Sequence, residues 1–206
     1  MYTEIACKYT NIIGQLNKET RYHSLSVGEL CEKSAPGLML DKETAFKIGL
    51  LHDVGKIYIP SRILKKNKRL NEIEREIVDL HAYFGYRLLK MMGEPSDIYL
   101  PVLFHHGYTK PRICHPEEPL SEELIRYISL VHTADIYDAM ARKRIYHDPY
   151  HRENIFEVLA QDKMCHPHVI WEIRKASESL VQKQIILAES AILNKDKNTN
   201  IEEENV

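Results

Sequence analysis

Helical periodicity runs along nearly the whole chain, and the faces it marks for burial are interrupted by imidazoles and carboxylates. Strand-like alternation is scarce and no internal repeat is present, so the pattern predicts an all-α fold, a helical bundle. His23, His52, Asp53, His81, His105, His106 and Asp135 sit on apolar faces or at their ends. Burying such groups unpaired is costly. A fold that buries this face must therefore bring these groups together or neutralise them. Facing helices of a bundle that each aim ligand-type side chains inward build metal sites in this way.

The spacing predicts a first helix over about 3–17, with Ile5, Ile12, Ile13 and Leu16 as apolar positions. A second runs over about 22–34, carrying His23, Val27, Leu30 and Cys31, and Pro36-Gly37 ends it. Asp41 is an N-cap for a third helix ending near Asp53, with Ala45, Ile48, Leu51 and His52 along one side. Ile57 to Pro60 is extended or a turn. Asn71 and Glu74 form a capping box opening a helix to about Met92, with Ile73, Ile77, Leu80, Phe84 and Leu88 as its stripe and His81 beside it. Pro95 to His106 is a short helix containing Pro101. Gly107 to Pro119 is a loop, long enough to suggest function. Ser121, Glu122 and Glu123 open a helix whose face holds Leu124, Ile128, Val131 and Asp135. Asn154 and Glu157 read as another capping box. Pro167 starts a helix to about Leu193. One domain over 1–194 and a disordered polar tail over 195–206 are expected.

Each polar position has an ordinary reading. His23 or His81 alone fits a hydrogen-bonded or surface histidine. His105-His106 at a helix C-terminus fits cations favoured by the dipole. Asp135 is harder to set aside, because an unpaired buried carboxylate is rare. In Gly49-Leu50-Leu51-His52-Asp53-Val54-Gly55-Lys56, imidazole and carboxylate stand adjacent at the end of an apolar segment. Both are good ligands for divalent transition metals.

The 206 residues suit one large domain. The net charge of −2 gives no global basic field for a nucleic-acid duplex. No apolar run approaches the ~20 residues of a membrane span, and the start lacks a secretory pattern. Cys7, Cys31, Cys114 and Cys165 are scattered without CxxC spacing, so a reduced, cytoplasmic protein is expected. Oligomerisation is left open.

Taken in order, these residues resemble the HD superfamily of metal-dependent phosphohydrolases, and within it the HD-GYP branch of cyclic di-GMP phosphodiesterases. The resemblance rests on Tyr22-His23-Ser24, Leu50 to Ile57 with Ile59-Pro60 and Ile63-Leu64, His81 to Gly85, Leu103 to His106, and Ala134 to Met140. It implies that His23, His52, Asp53, His81, His105, His106 and Asp135 bind two iron or manganese ions, with Asp53 bridging. Glu19, one turn before His23, is a ligand for a third ion or a solvated surface acid. Lys56 matches a lysine beside the substrate phosphate, so Asp53 and Lys56 are the expected catalytic residues. Arg144 is expected at a phosphate or facing solvent. Asp138 either orients Lys56 or a ligand from behind, or caps a helix end. His132 lies behind the ligands or in the core, while His115, His151, His166 and His168 are expected at the surface.

The chain departs from the branch after the paired histidines. His106-Gly107-Tyr108-Thr109-Lys110-Pro111 replaces the usual glutamate and the Gly-Tyr-Pro tripeptide. The resemblance implies that a metal-bridging hydroxide attacks a phosphodiester of a cyclic dinucleotide second messenger, with the metals and Lys56 taking up charge. The alternatives are another nucleotide or phosphoester as substrate, or a catalytically silent binding module.

Overall fold

The computed structural model describes residues 2–107, 119–142 and 152–182. All regular elements among them are helical. The main helices are α1 (Tyr2–Gln15), α2 (Lys18–Ser34), α3 (Lys42–Leu51), the short α4 (Ser61–Leu64), α5 (Glu72–Asp79), α6 (His81–Met91), α7 (Ser96–Phe104), α8 (Glu122–Ala141) and α9 (Arg152–Gln161). Residues 167–182 form a further helical segment. 3-10 turns occupy Ala35–Leu38 and Val54–Tyr58. The tail over 195–206, most of the loop after His106, and Arg144 lie outside the described residues.

Several starts follow local capping chemistry. Asp41 accepts from Thr44 N, Asn71 and Glu74 complete a capping box, and Ser121 accepts from Leu124 N. Several boundaries differ from expectation. Helix α2 begins at Lys18 because Asn17 caps it through Thr20 N, and so α1 stops at Gln15 rather than continuing to 17. Helix α3 stops at Leu51, leaving Asp53 at φ −97° and ψ 3° as the start of the 3-10 turn. The capping box at Asn154 and Glu157 does not form, since both lie inside α9. That helix already extends to Arg152 and buries Ile155, Phe156 and Leu159.

The single helix expected over 71–92 is two. It breaks at Leu80, where ψ is −13°. Helix α5 buries no residue and Ile73 is 68% exposed, so the expected stripe fails in its first half, whereas Leu88 packs against the core. In α6 the inward line is His81, Gly85 and Leu89. The break lets the His81 backbone meet the 3-10 turn: a Cβ on Gly55 would stand 2.0 Å from His81 O and 2.5 Å from Gly85 N. Only glycine permits that approach.

Helices α2 and α3 pack through a second glycine contact, where a Cβ on Gly49 would lie 2.8 Å from Gly28 Cα. The main core joins Val27 and Leu30 of α2, Ile48 and Leu51 of α3, Val102 of α7 and Val131 and Ala134 of α8. Burial of these apolar side chains is the main driving force holding the helices together. The imidazoles and carboxylates lie on these helices and α6, at their ends, or, for Asp53, at the start of the 3-10 turn that follows α3.

Candidate metal centre

The seven residues converge. His52, Asp53, His81 and His105 are buried at 0–2% exposure, His23 is also buried, and His106 and Asp135 are half-buried. Their donor atoms fall into overlapping groups: His81, His105 and His106; His23, His52 and Asp135; and His52, Asp53 and His105. Asp53 stands between the first two. Its Oδ1 is 3.3 Å from His81 Nε2, while its Oδ2 is 3.5 Å from His52 Nε2 and 3.9 Å from His23 Nε2.

Backbone carbonyls set the orientation of the rings. The Nδ1–H of His52 donates to Gly49 O at 2.7 Å, that of His81 to Val78 O at 2.6 Å, and that of His105 to Val102 O at 2.7 Å. Each acceptor is three residues earlier, so each helix end locks its own imidazole. With Nδ1 carrying the hydrogen, the Nε2 lone pairs point inward. His81 Nε2 and His105 Nε2 therefore face each other at 3.3 Å with no hydrogen to share. His52 Nε2 is buried and meets no hydrogen-bond partner among the described residues. Orphaned buried nitrogens of this kind call for an explanation, and a bound cation satisfies them together. The donor set of neutral imidazole and carboxylate fits a divalent transition metal.

The electrostatics divide the cluster. Burial, reinforced by the neighbouring His81, pushes His106 down to about 3. Burial and the adjacent His106 hold His105 well below its ordinary value, and burial also lowers His81 against the pull of Asp53. These rings are neutral, the state a ligand requires. On the other side burial opposes charge, but Asp135 and Asp138 outweigh it and raise His23 to about 9. For Asp53 burial is outweighed by Lys56, His52 and His81, so its carboxyl stays well below the usual range. Asp135 is also lowered, since its bond with His23 overcomes burial.

Lys56 Nζ lies 2.5 Å from Asp53 Oδ2. Asp138 accepts from His23 Nδ1 at 2.7 Å, from Ser26 Oγ and from Arg142 Nε. Of the two orienting roles read for Asp138, the hydrogen bond it makes is to His23 and not to Lys56. Glu19 is exposed one turn before His23 and joins none of the donor groups. It lines the same cavity of about 750 Å³ as His23, Asp53 and Lys56, together with Lys18, Arg21 and Lys65. That cavity is predominantly basic at its rim, which suits a phosphate.

His132 is buried behind the cluster. Its Nδ1 donates to His105 O at 2.6 Å and its Nε2 lies 3.1 Å from Asp162 Oδ2. It thus braces the His105-His106 turn against the end of α9. Asp162 and Ser26 leave no signal in the sequence, since they lie 30 and 112 residues from His132 and Asp138, which they hold, whereas Arg142 stands four residues after Asp138, a helical spacing that could have marked it. His166 and His168 are exposed as expected, whereas His115 and His151 lie outside the described residues.

A family model described as HD domain matches residues 20–140. The 3'3'-cGAMP-specific phosphodiesterase 2 of Vibrio cholerae is 30% identical over 177 residues, covering 79% of this chain and 32% of that protein. The cyclic di-GMP phosphodiesterase of Thermotoga maritima is 29% identical over 198 residues, covering 87% of this chain and 51% of that protein. The chain thus spans about a third to a half of the length of these curated relatives. The HD domain of L. monocytogenes phosphodiesterase PgpH, solved in complex with cyclic-di-AMP, has a TM-score of 0.61 at 20% identity, over 84% of this chain and 96% of that one. That likeness is one of fold.

Proposed function

Since the chain belongs to the HD domain family, we propose that it is a metal-dependent phosphodiesterase acting on a cyclic dinucleotide, with cyclic di-GMP as first candidate. The observation that carries this reading is Asp53, whose two oxygens face two separate imidazole groups. That placement favours a carboxylate shared between two ions. The ligands would be His23, His52, Asp53, His81, His105, His106 and Asp135. Two ions rather than three are favoured by Glu19, which stands on the rim outside the donor groups. Iron or manganese suits this set of nitrogen and oxygen donors. Bound there, the ions supply a water of lowered pKa and charge stabilisation at phosphorus.

The chain's own residues do the rest. Lys56, held at the cavity wall by the 3-10 turn, offers a cation to a non-bridging phosphate oxygen. Asp138 fixes the His23 ring, and the three backbone carbonyls fix the others. The basic rim draws in an anionic substrate. Buried, unpaired Cys31 and Cys165 fit a reducing, cytoplasmic setting. The names of the two relatives support the substrate class, because each is a phosphodiesterase for a cyclic dinucleotide. The rewritten sequence after His106 favours one second reading, in which the same centre cleaves another nucleotide or phosphoester.

The test is anaerobic purification, loading with Fe(II) or Mn(II), and chromatography of cyclic di-GMP and cGAMP, with Asp53→Ala as control. Metal-dependent hydrolysis by the parent, with activity and metal both lost in the variant, is expected. No hydrolysis of either substrate by protein holding two ions would overturn the cyclic-dinucleotide reading. Full metal content in Asp53→Ala would overturn the bridging role.

A further inference from the structure

The cavity over the histidine cluster does not end at Lys56. A second one, about 480 Å³, opens beside it, and Lys56 and Leu64 line both. Its volume falls within the ~300–1,000 Å³ range of small-molecule sites. Lys66, Lys68 and Arg69 supply cations, no carboxylate among the described residues lines it, and Ile63, Leu64, Leu70 and Val78 form an apolar floor.

The cations are not equivalent. Lys66 is engaged by Glu74, with Nζ 2.6 Å from Oε1. The same Glu74 accepts from Asn71 N at 2.9 Å, so one carboxylate ties down both ends of the segment between them. Lys66 N also donates to Ile63 O at the end of α4. Lys68 and Arg69 are thereby presented, exposed, from a loop closed at both ends. Cations above an apolar floor match the chemistry of a nucleotide, which carries an anionic phosphate and a flat, largely apolar base face.

We propose that this second cavity is the subsite for the distal half of a dinucleotide. Lys68 and Arg69 hold its second phosphate, and the floor of Ile63, Leu64, Leu70 and Val78 lies under its base. This rests on the reading that a first phosphate lies between the histidine cluster and Lys56. A two-phosphate substrate fills both cavities, whereas a single phosphodiester fills only the first. The subsite thus selects dinucleotides over simple esters.

The experiment compares parent and K68A/R69A, both metal-loaded. It measures the Kd of cyclic di-GMP by calorimetry, the loss of the same dinucleotide by chromatography, and the hydrolysis of bis(p-nitrophenyl) phosphate, which has one phosphate. The expected result is a roughly tenfold rise in the dinucleotide Kd, as for the loss of charge-assisted phosphate contacts. A much smaller change in kcat/KM is expected on the simple ester. A dinucleotide Kd that is equal in both proteins, or immeasurable in both, overturns the subsite. So does an equal loss on both ligands. If the Kd rises in the variant but neither protein hydrolyses the dinucleotide, the subsite stands and the phosphodiesterase reading falls.

Discussion

Gly55→Ala tests whether close approach of two backbones positions the cluster. The new Cβ would lie 2.0 Å from His81 O and 2.5 Å from Gly85 N. Both are backbone atoms, so no side chain can swing aside. Restoring ordinary contact requires the 3-10 turn and α6 to separate by at least about 1 Å. Overpacking of this kind costs about 1–3 kcal/mol. For a domain of this size, that lowers Tm by roughly 2–4 °C per kcal/mol. The displaced elements carry Asp53 and Lys56 on one side and His81 on the other, across the 3.3 Å gap from Asp53 Oδ1 to His81 Nε2. A roughly 10–100-fold fall in metal affinity should accompany the loss of stability. Thermal scans of metal-free protein and chelator-competition titration with Mn(II) measure the two effects. Unchanged Tm together with unchanged metal affinity would refute the claim that glycine at 55 sets the spacing of the cluster.

Asp138→Asn leaves His23 Nδ1 and Arg142 with a neutral acceptor, so metal affinity should fall about 10–100-fold; equal affinity in chelator competition would show that His23 needs no carboxylate behind it. In the metal-free protein His23, raised to about 9, is protonated at neutral pH. A metal must displace that proton, so affinity should climb as pH rises towards about 9 and one proton should be released on loading at pH 7.5, read from the buffer dependence of the calorimetric enthalpy. His106, pushed down to about 3, contributes no proton there. Folding linkage has opposite signs for these two rings. The contribution of His106 to stability is present above its unfolded value of ~6.5 and is lost as pH falls towards 3. That of His23 is complete below ~6.5 and is lost as pH rises through 9. Metal-free unfolding in urea should therefore show stability falling on the acid side between pH 6.5 and 4, and flat stability there would contradict the neutral, buried His106.

The helical class, the caps at Asp41, Asn71 and Ser121, and the identity of the converging imidazoles and carboxylates could all be read along the chain. These are local properties: a cap involves residues three apart, and a buried face repeats every three to four. The same locality explains the failures. Asn154 and Glu157 have capping-box spacing, but they lie within a helix that packing extends to Arg152. Periodicity runs unbroken through Leu80, yet the helix breaks there to bring His81 against Gly55. Docking of the helices is what paired His23 with Asp138, 115 residues away, and His132 with Asp162, and what set Lys68 and Arg69 along a second cavity. A side chain's position along a helix follows from the turn it occupies. Its partner across the core follows from how the helices dock, which depends on the packing of the whole chain.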